Sequence, residues 1–411
     1  MVAVIGAGIV GLAIAYQVFK VGARVTLIDR DPEGDKVSFG NAGGIAVTEV
    51  FPASAPQVWL RVWGWAVDPL GPLSIRPGHV PRMLPWLLRF ARHSQALEVE
   101  RISRALAALN SRVYDDLMPM LRELGMTDDL RRSGALTLYE TEQGYRRDAA
   151  EWACKRARGI QVEELSVAEA RLMEPALGTL VSRALFTPQW SIVRNPKRLA
   201  DRLREFLLRS GVVIRRAEVL RLVATSGPRP SVHLAGQETT TADKVIVAAG
   251  VWSSGLAASV GDKVLMESER GYNSTLPAPG ILLDRELIFA ERRFVATPLD
   301  CGLRIGGAAE FGGLHAPANY RRSEVLVELA KRYLPDLQTS GGTHWAGHRP
   351  TTPDSLPVIS RARSHPDVLY GFGHGHLGLT HAATTGALIR DLIFNQSSSI
   401  DMTPYDIRRF N

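Results

Sequence analysis

Short apolar runs, each closed by a glycine-rich turn, recur along this chain, and longer stretches of helical periodicity separate them. Val2-Ala3-Val4-Ile5 is apolar at every position, the pattern of a strand buried on both faces. Gly6-Ala7-Gly8-Ile9-Val10-Gly11 follows at once. Leu12, Ala15, Val18 and Phe19 then share a helical face that Gly22 closes. Arg24-Val25-Thr26-Leu27-Ile28 predicts a second buried strand, ending on Asp29. Residues 244–252 repeat the form, an apolar run ending in Ala249-Gly250-Val251-Trp252. Residues 368–380 do so again, passing through Gly373-His374-Gly375-His376-Leu377-Gly378-Leu379-Thr380 into a helix over 382–394.

The intervening segments read differently. Apolar positions fall at helical spacing from about 98 to 123, and 197–209 predicts a basic amphipathic helix with a solvated face. Around 282–288, 293–298 and 303–307, apolar and polar residues alternate as in antiparallel strands.

The first turn carries recognisable chemistry. Gly6 permits the tight turn, Gly8 lets a pyrophosphate approach the backbone, and Gly11 lets helix and strand pack closely. Free N–H groups and the positive dipole end of the helix favour phosphates. Asp29 lies 18 residues after the third glycine, where an acid can accept the ribose hydroxyls of an adenosine. Strand, glycine turn, helix and acid together predict a dinucleotide site. The turn does not choose between NAD and FAD. Residues 38–45, Ser-Phe-Gly-Asn-Ala-Gly-Gly-Ile, are small and follow the second strand, where backbone passes close to something flat.

Composition narrows the picture. In 411 residues, 45% hydrophobic and 22% charged, there is ample material for two or three domains and too much apolar content for disorder. Two cysteines, Cys154 and Cys301, cannot build a disulfide framework or a multi-cysteine metal site. A net charge of +7 is modest and scattered, with no basic tail or aromatic–basic motif, so no nucleic-acid partner is expected. No apolar stretch reaches the length of a membrane-spanning helix, and the first motif starts at Val2, leaving no room for a signal peptide. The chain reads as cytoplasmic. Segment 57–92 qualifies that: Trp59, Trp63, Trp65 and Trp86 are half of the eight tryptophans, accompanied by five arginines and one acid, Asp68. Either these tryptophans pack under a domain, or the segment makes peripheral contact with an anionic membrane.

Taken in order, the N-terminal glycine motif, the S-x-G-N-A-G segment, the A-A-G-V-W-S strand end, Arg270-Gly271-Tyr272, Gly347-His348-Arg349-Pro350 through Asp354–Ile359, and Gly373–Gly378 resemble the D-amino-acid oxidase/dehydrogenase superfamily of FAD enzymes. Within it the chain is most similar to bacterial D-amino acid dehydrogenases, including those acting on D-proline or hydroxy-D-proline. The resemblance spans nearly the whole chain. It implies an α/β fold with a discontinuous Rossmann-like FAD-binding domain (1–50, 160–250 and 345–395). An α+β substrate domain with a mainly antiparallel sheet (51–159 and 251–344) and a tail (396–411) complete it.

The resemblance also implies how FAD is held. Gly6, Gly8, Ile9, Val10 and Gly11, with Asp29 and Arg30, would take the pyrophosphate and adenosine ribose. Val219 would meet adenine, and Ala249, Gly250 and Trp252 would line the adenosine side. Ser38, Asn41, Ala42, Gly43, Gly44 and Ile45 would lie against the isoalloxazine. Gly375, Leu377, Gly378, Leu379 and Thr380 would face its N1–C2=O edge, where a helix N-terminus suits the negative charge of a reduced flavin. Relatives that bind flavin covalently use a cysteine after the Arg-Pro block. None stands there, so the FAD is expected to be non-covalent.

On the substrate side, a flavoenzyme oxidising an amino acid must fix the carboxylate, and arginine's planar fork does so bidentately. The family pattern selects Arg349. Tyr272 is either a second donor to that carboxylate or a core tyrosine. His376 is expected over the flavin or substrate and His348 beside Arg349, while His374 lines the site or packs beneath the glycine turn. No metal is expected. The implied reaction is hydride transfer from Cα of a small-molecule amino acid to flavin N5, giving an imine or 2-oxo acid, with a quinone or other electron acceptor. Other readings are a glycine/sarcosine-type oxidase using oxygen, an RNA-modifying flavoprotein, and a non-catalytic subunit.

Overall fold

The computed structural model describes residues 1–54, 70–224 and 229–410. The apolar runs of the sequence meet in one six-stranded sheet. Its strand order is Val213–Arg216, Val25–Asp29, Val2–Ile5, Lys244–Val247, Val368–Phe372 and Val358–Arg361. All neighbours are parallel except the last pair. Four central strands are almost wholly apolar because helices or sheet cover both faces. The first helix, Ile9–Lys20, packs against the last, Gly378–Ile393. There a Cβ on Gly386 would stand 2.6 Å from the Ala13 carbonyl oxygen, so the two backbones approach as only glycine allows.

The second layer is a nine-stranded, mainly antiparallel sheet. It runs Thr343–Thr351, Glu267–Leu276, Gly302–Phe311, Phe294–Leu299, Glu286–Phe289, Ala135–Tyr139, Arg183–Thr187 and Glu163–Leu165, with Leu73–Ile75 added beside Gly302–Phe311. Helix Arg321–Tyr333 covers part of it through Leu326, Ala330 and Tyr333. A three-stranded antiparallel sheet begins with Val219–Val223.

Three expectations shift. Strands Glu163–Leu165 and Arg183–Thr187 belong to the nine-stranded sheet, so the middle segment that returns to the six-stranded layer starts at helix Pro196–Arg209, not at 160. Thr343–Thr351 also lies wholly in the larger sheet, past the boundary drawn at 345. The segment read as a tail is anchored: Ile407 and Phe410 are buried in the core behind the six-stranded sheet, and Arg409 donates to Asp354 at 2.7 Å. The helical stretch at 98–123 is two helices, Ala96–Ser111 and Val113–Glu123. Trp59, Trp63 and Trp65 lie outside the described residues.

Candidate active site

The carboxyl ends of the parallel strands open into a cavity of about 1100 Å³ that runs from the first glycine turn to Arg349 on the larger sheet. At one end, each glycine of the turn has its own reason. Gly6 has φ +107, and a Cβ there would meet the Ala248 carbonyl oxygen at 2.4 Å. A Cβ on Gly11 would stand 1.9 Å from the Gly6 carbonyl oxygen, the close helix–strand contact. A Cβ on Gly8 would meet nothing nearer than Ser38 Oγ at 3.6 Å, so its backbone is open to a ligand. The residue before the helix that starts at Ile9 is Gly8, which has no side chain to cap it. Asp29 accepts the Ala7 N–H at 2.7 Å, the Asp31 N–H at 2.8 Å and the Lys36 ammonium at 2.9 Å. Two carboxylate oxygens have room for a further donor such as a ribose hydroxyl. Arg30 lies 4.0 Å over the Trp252 ring, and both line the cavity with Val219, Ala249 and Gly250.

The segment after the second strand is built by local hydrogen bonds. The Ser38 hydroxyl accepts the Ile9 N–H at 3.0 Å, which places this side chain at the helix N-terminus rather than out at the ring end. Asn41 accepts the Gly43 N–H at 2.7 Å. Ala42, Gly43 and Gly44 line the cavity, but the Ile45 side chain is fully buried in the core beneath. Thr380 is likewise buried. It accepts the Ala46 N–H at 3.0 Å and so ties this segment to the last helix. Gly375, Leu377, Gly378 and Leu379 line the cavity, and no side chain caps the helix there. An open Gly8, two helix N-termini facing the cavity and a stacked Arg30–Trp252 pair fit a dinucleotide that carries a flavin.

At the other end the strand pair Glu267–Leu276 and Thr343–Thr351 places Glu269 opposite Arg349. Arg349 Nη1 donates to Glu269 Oε1 at 2.7 Å, and Thr351 donates to Glu269 Oε2 at 3.0 Å. The guanidinium lies over bare backbone: a Cβ on Gly271 would come within 2.4 Å of Arg349 Nη2. Burial pushes Glu269 up, but Arg349, His376 and Thr351 together outweigh it and hold its carboxyl below the usual range. His376 is open to the cavity and surrounded by protein. Burial lowers its pKa although Glu269 and Glu49 pull the other way.

Tyr272, His348 and His374 also border the cavity, but strand alternation turns the side chains of Tyr272 and His348 away from Arg349. Tyr272 is 1% exposed within the substrate-side core, and its hydroxyl donates to Glu310 and accepts the Asn319 N–H at 3.1 Å. Of its two readings, the core tyrosine fits this placement. His348 shares a hydrogen bond of 2.6 Å with Ser268, and burial with nearby Arg270 lowers it to about 4. His374 is buried against Thr385, 2.8 Å away, and burial lowers it to about 3.

Charged residues not anticipated from the sequence complete the wall. Lys155 is buried between Glu49 and Glu151, each 2.9 Å from its ammonium. Burial opposes its charge, yet the two carboxylates raise its pKa. Arg293 donates to Asp148 at 3.3 Å, and Tyr139 donates to the same carboxylate at 3.2 Å. Glu286, 3% exposed and bonded by Trp190 at 3.2 Å, is raised to about 8 by burial. Glu269 carried no sequence signal of its own beside the Arg270-Gly271-Tyr272 segment. The rest come from distant segments.

A glycine turn at the head of a parallel sheet, with a cavity continuing to a paired arginine and a histidine open to it, fits an FAD-binding oxidoreductase. Residues 1–392 match the DAO family of FAD-dependent oxidoreductases, and the chain belongs to that family. It is 33% identical to a D-amino-acid oxidase of Bradyrhizobium diazoefficiens, over 100% of this chain and 98% of that protein. It is 29% identical to a D-amino acid dehydrogenase of Sinorhizobium medicae, over 100% and 99%. Among solved structures it resembles glycine oxidase from Geobacillus kaustophilus, with a TM-score of 0.75 and 23% identity over 99% and 97% of the two chains. It also resembles L-proline dehydrogenase from P. horikoshii, with a TM-score of 0.76 and 18% identity over 100% and 97%. At such identities the structures show a shared fold.

Proposed function

We propose that this chain is a dehydrogenase that oxidises the Cα–N bond of a D-amino acid, open-chain or cyclic as in proline and hydroxyproline, to an imine. The observation that carries the reading is Arg349, held by Glu269 over the bare backbone of Gly271 with His376 beside it. The two full-length relatives named for D-amino acids support the substrate class. FAD, bound without a covalent link, supplies the two-electron acceptor for hydride from Cα. Arg349 takes the substrate carboxylate with the N–H groups that Glu269 leaves, and so fixes which Cα–H faces the cofactor. His376, kept neutral by burial, accepts a hydrogen bond from the amine without adding positive charge beside it. Wall and sheet exclude water from the reacting carbon. Tyr272 and His348 act from behind the sheet, the first bracing Glu310 and the second Ser268. The imine of a primary amine is hydrolysed to a 2-oxo acid and ammonia, and a cyclic imine is retained.

Electrons pass to a quinone or another acceptor in amino-acid catabolism. A cytoplasmic location with weak peripheral attachment to an anionic membrane suits that hand-off. Among the described residues no helix is long and apolar enough to cross a membrane. Helix Val80–Arg92 supports surface attachment instead. Met83, Trp86 and Phe90 face inward, with Trp86 donating to the Thr351 carbonyl at 3.0 Å. Val80, Leu84 and Leu88 are 39%, 50% and 64% exposed, and the helix carries three arginines and no acid. Dye-coupled turnover without stoichiometric peroxide is expected in air. Peroxide equal to product would instead assign the chain as an oxygen-using oxidase of the glycine/sarcosine type.

A further inference from the structure

Between the helix Ala149–Ala157 and the strand Ala135–Tyr139, the cavity has a polar recess that the proposed chemistry at Cα does not use. Arg293 stands at its edge. This residue ends the four-residue turn between strands Glu286–Phe289 and Phe294–Leu299, and has φ 56, a left-handed conformation that glycine or asparagine adopts far more readily than arginine. Backbone strain of this kind persists where surrounding contacts hold it, often at functional sites.

The contacts here are specific. Arg293 Nη2 reaches Asp148 Oδ1 at 3.3 Å, while Asp148 Oδ2 accepts the Tyr139 hydroxyl at 3.2 Å and Tyr139 accepts the Trp152 indole N–H at 2.8 Å. Asp148 is 3% exposed and Trp152 2%. The acceptor is therefore fixed, and it aims the guanidinium. Arg293 nevertheless has spare donors. Its Nε is buried out of a ligand's reach, so the donors left are the terminal guanidinium N–H groups that Asp148 does not take, on a side chain that keeps 31% of its surface. An arginine carries five N–H donors, and a single acceptor cannot use them all.

Arg293, Glu49 and Lys155 line the same cavity as His376 and Arg349, and Lys155 donates to Glu49 at 2.9 Å. Among the described residues the charged side chains of the recess are Glu49, Asp148 and Glu151 against Lys155 and Arg293, three acids to two bases. A second carboxylate on the substrate would be repelled. A hydroxyl or carboxamide would not, since it can accept from Arg293 and donate to a carboxylate.

We infer that this recess is a side-chain subsite in which Arg293, aimed by Asp148, selects amino acids with an uncharged oxygen-bearing side chain. The inference rests on the amino-acid reading above and extends it from the α-carboxylate to the side chain. Arg293 is the specificity-determining residue and Asp148 a positioning residue.

The test uses FAD-loaded full-length enzyme and two near-isosteric pairs, D-threonine with D-valine and 4-hydroxy-D-proline with D-proline. Anaerobic flavin bleaching and dye-coupled turnover are both read. Wild type should favour the polar member of at least one pair by tenfold or more in kcat/KM. Arg293→Met should reduce that ratio at least tenfold, and Arg293→Lys should retain part of it. Equal loss for both members of a pair, or an unchanged ratio, overturns the subsite. Should Arg293→Met fail to fold, the lysine variant and the wild-type ratio still decide, because a wild type without polar preference also overturns it. Failure of every amino acid to bleach the flavin would overturn the reading beneath it, whereas bleaching with an unchanged ratio overturns the subsite alone.

Discussion

Replacing Arg349 by methionine probes the anchor and its counter-charge together. In the native site Arg349 Nη1 is committed to Glu269 at 2.7 Å, and the remaining N–H groups face the cavity over Gly271. Losing a charge-assisted hydrogen bond costs about 1.5–3 kcal/mol, and a bidentate contact loses two. The change also strands Glu269, which keeps Thr351 at 3.0 Å but loses its cation. A substrate carboxylate placed about 5.5 Å from Glu269 would then be repelled by about 3 kcal/mol at an effective dielectric constant of 20. With 1.36 kcal/mol per decade, Arg349→Met should lower kcat/KM by at least about a thousandfold. Adding Glu269→Gln removes the stranded charge and should restore about ten- to a hundredfold, a coupling that a merely structural arginine would not show. The assay is steady-state kinetics on FAD-replete enzyme, with FAD content and thermal midpoint as controls. A single variant within threefold of wild type, or a double variant no better than the single, would refute the assignment.

Other outcomes follow from the same geometry. Gly8→Val should abolish FAD retention while leaving secondary structure intact, because the side chain fills the one glycine of the turn with open space before it; far-ultraviolet circular dichroism and the yellow colour report the two halves. Acid precipitation of the wild type should release intact FAD, and flavin left in the pellet would contradict non-covalent binding. Glu286 has a folded pKa of about 8, raised above its unfolded value, so its contribution to stability is full below about pH 4.5 and lost as pH rises through about 8. Glu286→Gln should flatten that alkaline limb in a pH series of thermal melts, and an unchanged limb would count against a neutral acid there. Leu84→Ser with Leu88→Ser should weaken co-sedimentation with anionic liposomes at low salt, since both side chains are outward, and high salt should weaken wild-type binding. Equal sedimentation of the two proteins would remove this helix from any membrane contact.

Local pattern carried much of the fold. Consecutive apolar residues at 2–5, 245–247 and 368–372 announced strands covered on both faces, and they are neighbours in one sheet. Gly6, Gly8 and Gly11 could be given separate duties because a turn, an open backbone and a close helix contact each demand different geometry. What stayed hidden depends on long-range register. Glu269 and Arg349 are 80 residues apart and meet because two strands pair in one particular offset. The same pairing sends Tyr272 and His348 to the opposite face, although each lies next in sequence to a residue facing the cavity. Ile45 belongs to a strand whose pairing with Ser191–Val193 turns it into the core. Lys155, Asp148 and Arg293 gave no motif at all, since a polar recess assembled from a helix and a turn leaves no periodic trace.

The most direct test of the account is anaerobic mixing of the FAD-loaded enzyme with D- and L-forms of a panel of amino acids that includes the prolines, followed at the oxidised flavin band. The account predicts full bleaching by at least one D-amino acid and none, or bleaching at least a hundredfold slower, by its L-enantiomer. Bleaching by L-forms alone, or by no amino acid while the flavin remains reducible by dithionite, would contradict it.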